Sequence, residues 1–403
     1  MLLKPLRSLF GALALAACLS PAAAEPPPVL IGLDAEFGHK TSTSAQAIQQ
    51  GIEIAIDEIN AAGGVLGGRK LALVTRDNRS IPAIGVDNLR ELAAMPDVVG
   101  VFGGKFSPVI LEWLPVAQEL GVLILDPWGS ADPITDRKYH PSYSFRLSLK
   151  DAWAAPVMLK FARQQRGASR VGILLPNTGW GRSNRNALTT ASGAAGVSIV
   201  GERWYNWGDQ SLLEQYRELR AAGAQAVVLV ANETEGSLLV REVAALPQGE
   251  RLPIISHWGV TGGAFAEMAG SALDQVDFAV VQTFSFIGLD TPIAKRVLAA
   301  LKTRYGVPGP EQVRAPVGVA HAYDLTHLLA RAIARAGSAD RAKVRDALEQ
   351  LPAYRGLVRN YERPFTPDRH DALSPEQVFM ARYTAQDVLV PLAPASPARP
   401  ERH

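Results

Sequence analysis

Between Gln50 and Asn78 the chain reads QGIEIAIDEINAAGGVLGGRKLALVTRDN, and this stretch leaves few architectures open. Ile52, Ile54, Ala55, Ile56 and Ile59 are apolar, while Glu53, Asp57 and Glu58 fall mostly on the opposite side. That spacing predicts an amphipathic helix. Asn60 and the pair Gly63-Gly64 stop it, because glycine takes left-handed cap geometry without a Cβ clash. A second pair, Gly67-Gly68, predicts a tight turn, and Lys70–Thr75 a strand. With an earlier strand at Val29–Leu33, the chain opens as a β-α-β unit.

The same alternation continues. Short β-branched runs predict strands at Val98–Phe102, Val122–Leu125, Tyr143–Arg146, Arg170–Leu175, Ser198–Glu202, Ala226–Val230, Pro253–Ser256 and Phe278–Gln282. Helical stretches between them include Pro82–Ala94, Pro108–Leu120, Ala152–Gln165, Leu212–Ala222 and Gly236–Leu246. A late helical block, Pro292–Tyr305 and Val317–Ala336, precedes Asp340–Gln350. Closing strands are expected near Gly356–Val358 and Gln377–Tyr383. The final PLAPASPARPERH reads as a disordered tail over residues 392–403.

At the N-terminus Lys4 and Arg7 precede an apolar run, Leu9–Leu19, too short to span a bilayer. Pro21 breaks that run, and Ala22-Ala23-Ala24 offers small residues for cleavage before Glu25. Residues 1–24 therefore read as a secretory signal peptide. Leu15-Ala16-Ala17-Cys18 also looks like a bacterial lipobox, with Cys18 as the residue to be lipidated. Either route implies delivery to the periplasm. Cys18 is the single cysteine, so the mature chain has no intrachain disulfide and no thiolate metal cluster. Cleavage removes two of 41 basic residues and none of the 39 acidic ones, leaving a formally neutral protein with no basic stripe for nucleic acid. Nothing after Glu25 is long and apolar enough for a transmembrane helix. About 380 mature residues exceed one hydrophobic core, so two lobes are expected.

The run INAAGGVLGGRKLALVTRDN resembles the signature of type I periplasmic solute-binding proteins, in the branch that binds leucine-type amino acids and related small acids. The resemblance implies an α/β fold of two doubly wound Rossmann-like lobes joined by a multi-strand hinge. It implies a first lobe from residues 28–149 and 284–350, and a second from 150–283 and 351–391. The crossover near Asp151 follows FRLSLKD, where this family typically enters its second lobe.

Ligands of open α/β sheets bind beyond the carboxyl ends of the strands, where helix N-termini present free N–H groups. Two first-lobe loops fit that position, Gly103-Gly104-Lys105-Phe106-Ser107 and Asp126-Pro127-Trp128-Gly129-Ser130. Ser107 either caps the helix that follows or helps bind an anion. By resemblance, Ser107 and Ser130 match the hydroxyl positions that hold a ligand carboxylate, with Gly129 supplying backbone contacts. In the second lobe, LLPNTGWGRS places Trp180 between two glycines in a loop, as core or as a ligand lid. Asp151 matches a position where related proteins direct an acid at the ligand's ammonium, and an acid opening a helix is also favourable in itself.

The sequence departs from the family where amino-acid binders generally place a carboxylate. The loop here reads Ser256-His257-Trp258-Gly259, so Trp258 stands in its place. Glu233, in Ala231-Asn232-Glu233-Thr234-Glu235, either supplies the missing charge or simply begins the next helix. Trp128, Trp180 and Trp258 together make an aromatic or apolar acid credible as the ligand, or a cation held by cation–π contact.

No GxSxG, HExxH, P-loop or GxGxxG pattern points to catalysis or a cofactor, and none is expected. His321, Asp324 and His327 spread over roughly 120° of a helix, too far apart for easy shared coordination of a metal. His257 and His370 have no clear acid–nucleophile partner. The leading expectation is a monomeric periplasmic component that delivers a small, amino-acid-like carboxylic acid to the permease and ATPase subunits of an ABC importer. A soluble sensing module of the same fold is the alternative.

Overall fold

The computed structural model describes residues 26–136 and 139–392. The expectations for the signal segment and Cys18 lie outside these residues, as does most of the expected tail.

The opening unit forms as its spacing requires: β1 (Val29–Ala35), α1 (Ser44–Ala61) and β2 (Leu71–Asp77). Asn60 does more than end a helix. Its side-chain amide donates to Leu71 O at 2.9 Å and its Oδ1 accepts the Leu71 N–H at 2.8 Å, clamping the start of β2. Gly64 has a positive φ of 74°, and a Cβ there would lie 2.3 Å from the Arg69 carbonyl oxygen. The helix stop at Gly64 thus needs glycine on two counts.

The chain continues through α2 (Pro82–Ala94), β3 (Val98–Gly103), α3 (Ser107–Leu120), β4 (Leu123–Asp126) and β5 (Ser144–Arg146). These strands make a five-stranded parallel sheet in the order β2-β1-β3-β4-β5. The second sheet is entered through α4 (Asp151–Gln165) and β6 (Arg170–Pro176). It continues with α5 (Gly179–Ser192), β7 (Ser198–Tyr205), α6 (Leu213–Ala221), β8 (Ala226–Leu229), α7 (Glu233–Ala244), β9 (Ile254–Ser256), the short α8 (Phe265–Ala269) and β10 (Phe278–Gln282). The chain then turns back: α9 (Pro292–Tyr305) and α10 (Pro316–Ala336) pack beside α1, and α11 (Arg341–Leu348) follows. Gly51 lets α1 and α10 approach, since a Cβ there would lie 2.2 Å from Val319 O.

A small hairpin, β11 (Tyr354–Arg355) and β12 (Asn360–Tyr361), precedes β13 (Phe379–Tyr383) and β14 (Leu389–Pro391). The second sheet runs β14-β13-β10-β9-β8-β6-β7, parallel except at its β13 and β14 edge. In both sheets the central strands are buried along their length, as two-sided helical cover demands.

Four expectations need correction. Gly356–Val358 is the turn of the β11–β12 hairpin, not a strand. The N–H groups of Leu357 and Val358 donate to the two oxygens of buried Asp324, at 2.7 and 2.9 Å, and so are unavailable to a ladder. Pro375–Gln377 is a 3-10 turn closed by a Ser374/Gln377 capping box, so the next strand begins only at Phe379. Trp180 lies in the first turn of α5 rather than in a loop. Thr178 caps that helix by accepting the Gly181 N–H, and Gly181 fits against the Pro176 carbonyl where a Cβ would lie at 1.9 Å. Pro391 and Leu392 belong to the sheet rather than to the tail: Pro391 pairs with Ala381, and the Leu392 N–H donates to Met380 O at 2.8 Å.

Asp324 also accepts the Tyr361 hydroxyl at 2.7 Å, so one carboxylate satisfies three donors. Asp324→Ala is expected to destabilise the protein by about 3 kcal/mol or more, because unsatisfied buried donors cost about 1–3 kcal/mol each. Urea unfolding of wild type and variant checks this; an unchanged midpoint would refute the role given to the carboxylate.

Candidate functional site

Loops leaving the carboxyl ends of strands from both sheets converge on one cleft. The first lobe contributes the segments after β3 and β4. The second contributes the start of α5 and the segments after β7, β8 and β9. The lobes meet across the cleft mouth through backbone hydrogen bonds from Thr43 N–H to Gly262 O (2.9 Å) and from Ala264 N–H to Thr41 O (2.8 Å). Inside lies a pocket of about 240 Å³ counted to its mouth, in which the side chains leave room for about one water.

Ser107 is the first residue of α3 but does not cap it. Its Oγ accepts the N–H groups of Ser130 at 3.1 Å and Ala131 at 3.3 Å, which ties the β3 loop to the β4 loop. Ser130 Oγ in turn accepts the Trp180 indole N–H at 3.0 Å, across the cleft. A hydroxyl carries two acceptor lone pairs and one proton. Both serines accept N–H groups, and no acceptor among the described residues takes either hydroxyl proton.

Asp126 shapes the β4 loop from below. One of its oxygens accepts the Trp128 N–H at 3.0 Å and the Gly129 N–H at 2.6 Å, so the Gly129 amide is turned away from the cleft. Nearby Arg146, fully buried, reaches Asp371 at 2.6 Å, Ala131 O at 2.9 Å and Thr135 Oγ1 at 2.6 Å. Burial pushes the Asp371 carboxyl upward, but Arg146 and then Lys150 more than offset it, leaving it below the ordinary range. Residues 370–372 run along β5, with the Arg146 N–H donating to His370 O and the Ala372 N–H to Arg146 O. Arg146 thereby joins this late crossover to the site loop.

Four tryptophans and Phe106 furnish the apolar walls. Trp128 and Trp258 lie 5.5 Å apart between ring centroids, and Phe106 meets Trp207 edge-on at 5.2 Å. The indole N–H groups of Trp128 and Trp207 are buried without an acceptor. Lys105 is the one charged residue on the pocket wall, and Asn232 and Gly259 complete the second-lobe side.

The remaining expected residues sit close by but do not line the pocket. Asp151 opens α4 and His257 follows β9; both are fully buried, with His257 Nε2 3.1 Å from Asp151 Oδ1. The contact is off the line of a hydrogen bond, so both Asp151 oxygens and both His257 ring nitrogens lack a hydrogen-bond partner. Trp180 packs edge-on against His257 at 5.2 Å. Asp132, rather than Asp151, receives a free N–H of α4, that of Ala152 at 2.9 Å. Burial and then repulsion from Asp151 raise the Asp132 carboxyl to about 6. Glu233 opens α7 fully buried, with its carboxylate 2.6 Å from Lys105 Nζ. His321 bridges Pro127 O and Thr283 Oγ1, and burial pushes it down to about 4. Among the described residues no cluster of three potential metal ligands occurs.

Sequence reasoning did not single out Lys105, Trp207 and Asn232 on the pocket wall, or Asp126 beneath it, as parts of the site. Trp207 carried the same signal as Trp180, an aromatic beside glycine just past a strand. Asp126 carried another, an acid ending a strand before Pro-Trp-Gly, which favours a side-chain turn onto the following amides.

Burial raises the Asp126 carboxyl from 3.8 to about 7, against the pull of Arg146 and of its two amide donors. A folded-state value above the unfolded one means that the folded protein holds an extra proton between these limits. Its contribution is present at low pH and is lost as pH rises from about 4 to 7, by no more than about 4 kcal/mol. Asp126→Asn keeps an oxygen for Trp128 and Gly129 but cannot ionise. Its melting temperature relative to wild type should therefore be higher at pH 8 than at pH 5. An equal difference at both pH values would refute this.

The sequence matches the family of periplasmic binding proteins over residues 28–385. A Leu/Ile/Val-binding protein homolog from Brucella melitensis is 25% identical over 339 residues, covering 82% of this chain and 86% of the relative. The branched-chain amino acid transporter substrate-binding protein LivJ of Streptococcus pneumoniae, solved with isoleucine, superposes with a TM-score of 0.74 at 20% identity, covering 91% of this chain and all of LivJ. A solute-binding protein of an ABC transporter from R. palustris, solved with 4-hydroxybenzoate, superposes with a TM-score of 0.73 at 18% identity, covering 91% and 96% of the two chains. At these identities the two structures establish the fold. With the two-lobed architecture and a family match spanning most of its length, the chain belongs to the periplasmic binding proteins, solute-binding proteins rather than enzymes, and has the type I fold of the leucine/isoleucine/valine-binding branch.

Proposed function

We propose that the protein is the solute-binding component of an ABC importer, working outside the cytoplasmic membrane, and that its ligand is a small apolar or aromatic carboxylic acid. One observation carries this reading: the pocket is rich in donors and poor in acidic acceptors. The uncommitted hydroxyl protons of Ser107 and Ser130 and the unpartnered indole N–H groups of Trp128 and Trp207 belong to residues of its wall, and the one charged wall residue, Lys105, is a cation already paired with Glu233. A carboxylate satisfies such donors; an ammonium does not. The tryptophans suit a ring or a branched alkyl group, and on binding they exchange contacts with one another for contacts with the ligand. Closure by hinge motion then presents a surface for the permease, with the ATPase acting from the far side of the membrane.

An α-amino acid is the second reading, favoured by Asp151. Its two buried, unpartnered oxygens lie near Ser130, whose carbonyl accepts the Asp151 N–H at 2.9 Å. Rotation of Trp180 would bring an ammonium to them. The solved proteins of this fold include binders of both kinds, one with isoleucine and one with 4-hydroxybenzoate.

Isothermal titration of the mature protein with benzoate, 4-hydroxybenzoate and isoleucine separates the readings. Binding of the aromatic acids with little or none of isoleucine is expected. Ser107→Ala should weaken it at least about tenfold, in line with about 1.5–3 kcal/mol for a hydrogen bond to a charged group. Preference for isoleucine would favour the second reading, and no binding of any acid would sink both.

A further inference from the structure

Lys105 comes from the loop after β3 and Glu233 from the first turn of α7, so their 2.6 Å ion pair crosses the cleft from one lobe to the other. The side chains are 2% and 0% exposed. The other Glu233 oxygen accepts the Thr41 hydroxyl at 3.1 Å, and Lys105 Nζ also approaches Gly262 O at 3.4 Å. A glycine pair makes room for both. A Cβ on Gly262 would lie 2.6 Å from Lys105 Cδ, and one on Gly263 would lie 2.6 Å from Glu233 Cδ. The acid is committed to partners within the protein, while the lysine stem forms part of the pocket wall.

We propose that Lys105 sets the selectivity of the cleft by holding Glu233 out of reach of the ligand, so that the closed site accepts acids and rejects those that also carry an ammonium group. The inference rests on the acid-binding reading above and names the residue responsible for it. A ligand bearing an α-ammonium would have to take Glu233 from Lys105, leaving a buried lysine without its counter-charge. A simple acid leaves the pair intact and adds its own negative charge beside the lysine. Asp151, the acid of the second reading, stands with His257 behind the Trp180 indole, and no acid lines the pocket among the described residues. Selectivity is therefore tied to closure, because the pair forms only when the lobes meet.

The test is titration of benzoate and isoleucine into wild type, Lys105→Met and Glu233→Gln. Wild type should bind benzoate and not isoleucine. Lys105→Met leaves one Glu233 oxygen without its partner while Thr41 and His39 stay beside the other, and should lose at least tenfold in benzoate affinity while gaining measurable isoleucine binding. Glu233→Gln frees the lysine, and should bind benzoate several-fold more tightly with no gain for isoleucine; it stands as the test if Lys105→Met does not fold. Wild-type binding of benzoate with both variants unchanged would overturn the role of Lys105 while leaving the acid-binding reading in place. Wild-type preference for isoleucine would overturn both.

Discussion

A lysine and a glutamate can be shut into the same closed cleft only because they face each other. Removing one partner of such a pair strands the other charge away from water, at a cost of about 3–5 kcal/mol. The Lys105–Glu233 contact depends on both lobes, on the Gly262-Gly263 backbone that leaves room for it, and on the β-like contact between residues 41–43 and 262–264. Closure and the charge state of the cleft are thus one event. The pair also fixes what remains in the pocket, which is donor groups and aromatic faces.

Those donors are aimed by neighbours that consume the competing hydrogen-bonding capacity. Asp126 draws two amides of the Trp128-Gly129 turn onto itself, leaving Ser130 and Ala131 to donate to Ser107. Trp180 then donates to Ser130 from the other lobe. The last two contacts fill lone pairs on Ser107 and Ser130 and leave both hydroxyl protons uncommitted. Arg146 stiffens the same loop through Ala131 and Thr135 while gripping Asp371 in the late crossover. Residues 370–372 are thereby tied through Arg146 to Ala131, the neighbour of Ser130.

Strands and helices were legible because parallel sheets covered on both faces impose long apolar runs and regular glycine breaks. Pro82–Ala94, Pro292–Tyr305 and Phe278–Gln282 follow from periodicity and breakers to the residue. The exceptions have identifiable causes. The β11–β12 hairpin turns about a buried aspartate 32 residues earlier than its glycine, a contact invisible to any window of sequence. Trp180 looked like a loop residue because its glycines signal flexibility, whereas Gly181 is there to let a helix start against the Pro176 carbonyl.

The sequence by itself determined the two-lobed α/β architecture and the loops from which a site would be built, since pattern and turn chemistry act over short distances along the chain. Ser107, Ser130, Trp128, Trp180 and Trp258 lie in or beside those loops, and it was the family resemblance that marked Ser107, Ser130 and Trp180 as candidates. Only the tertiary structure decided what each of them has left to offer. Lys105 is a charged loop residue until Glu233, 128 positions away, closes on it; Asp151 is a helix-opening acid until His257 and Trp180 cover it. Hydrogen-bonding capacity and charge are spent on whichever partner folding brings within about 3 Å, and in this protein the partners that matter come from opposite lobes.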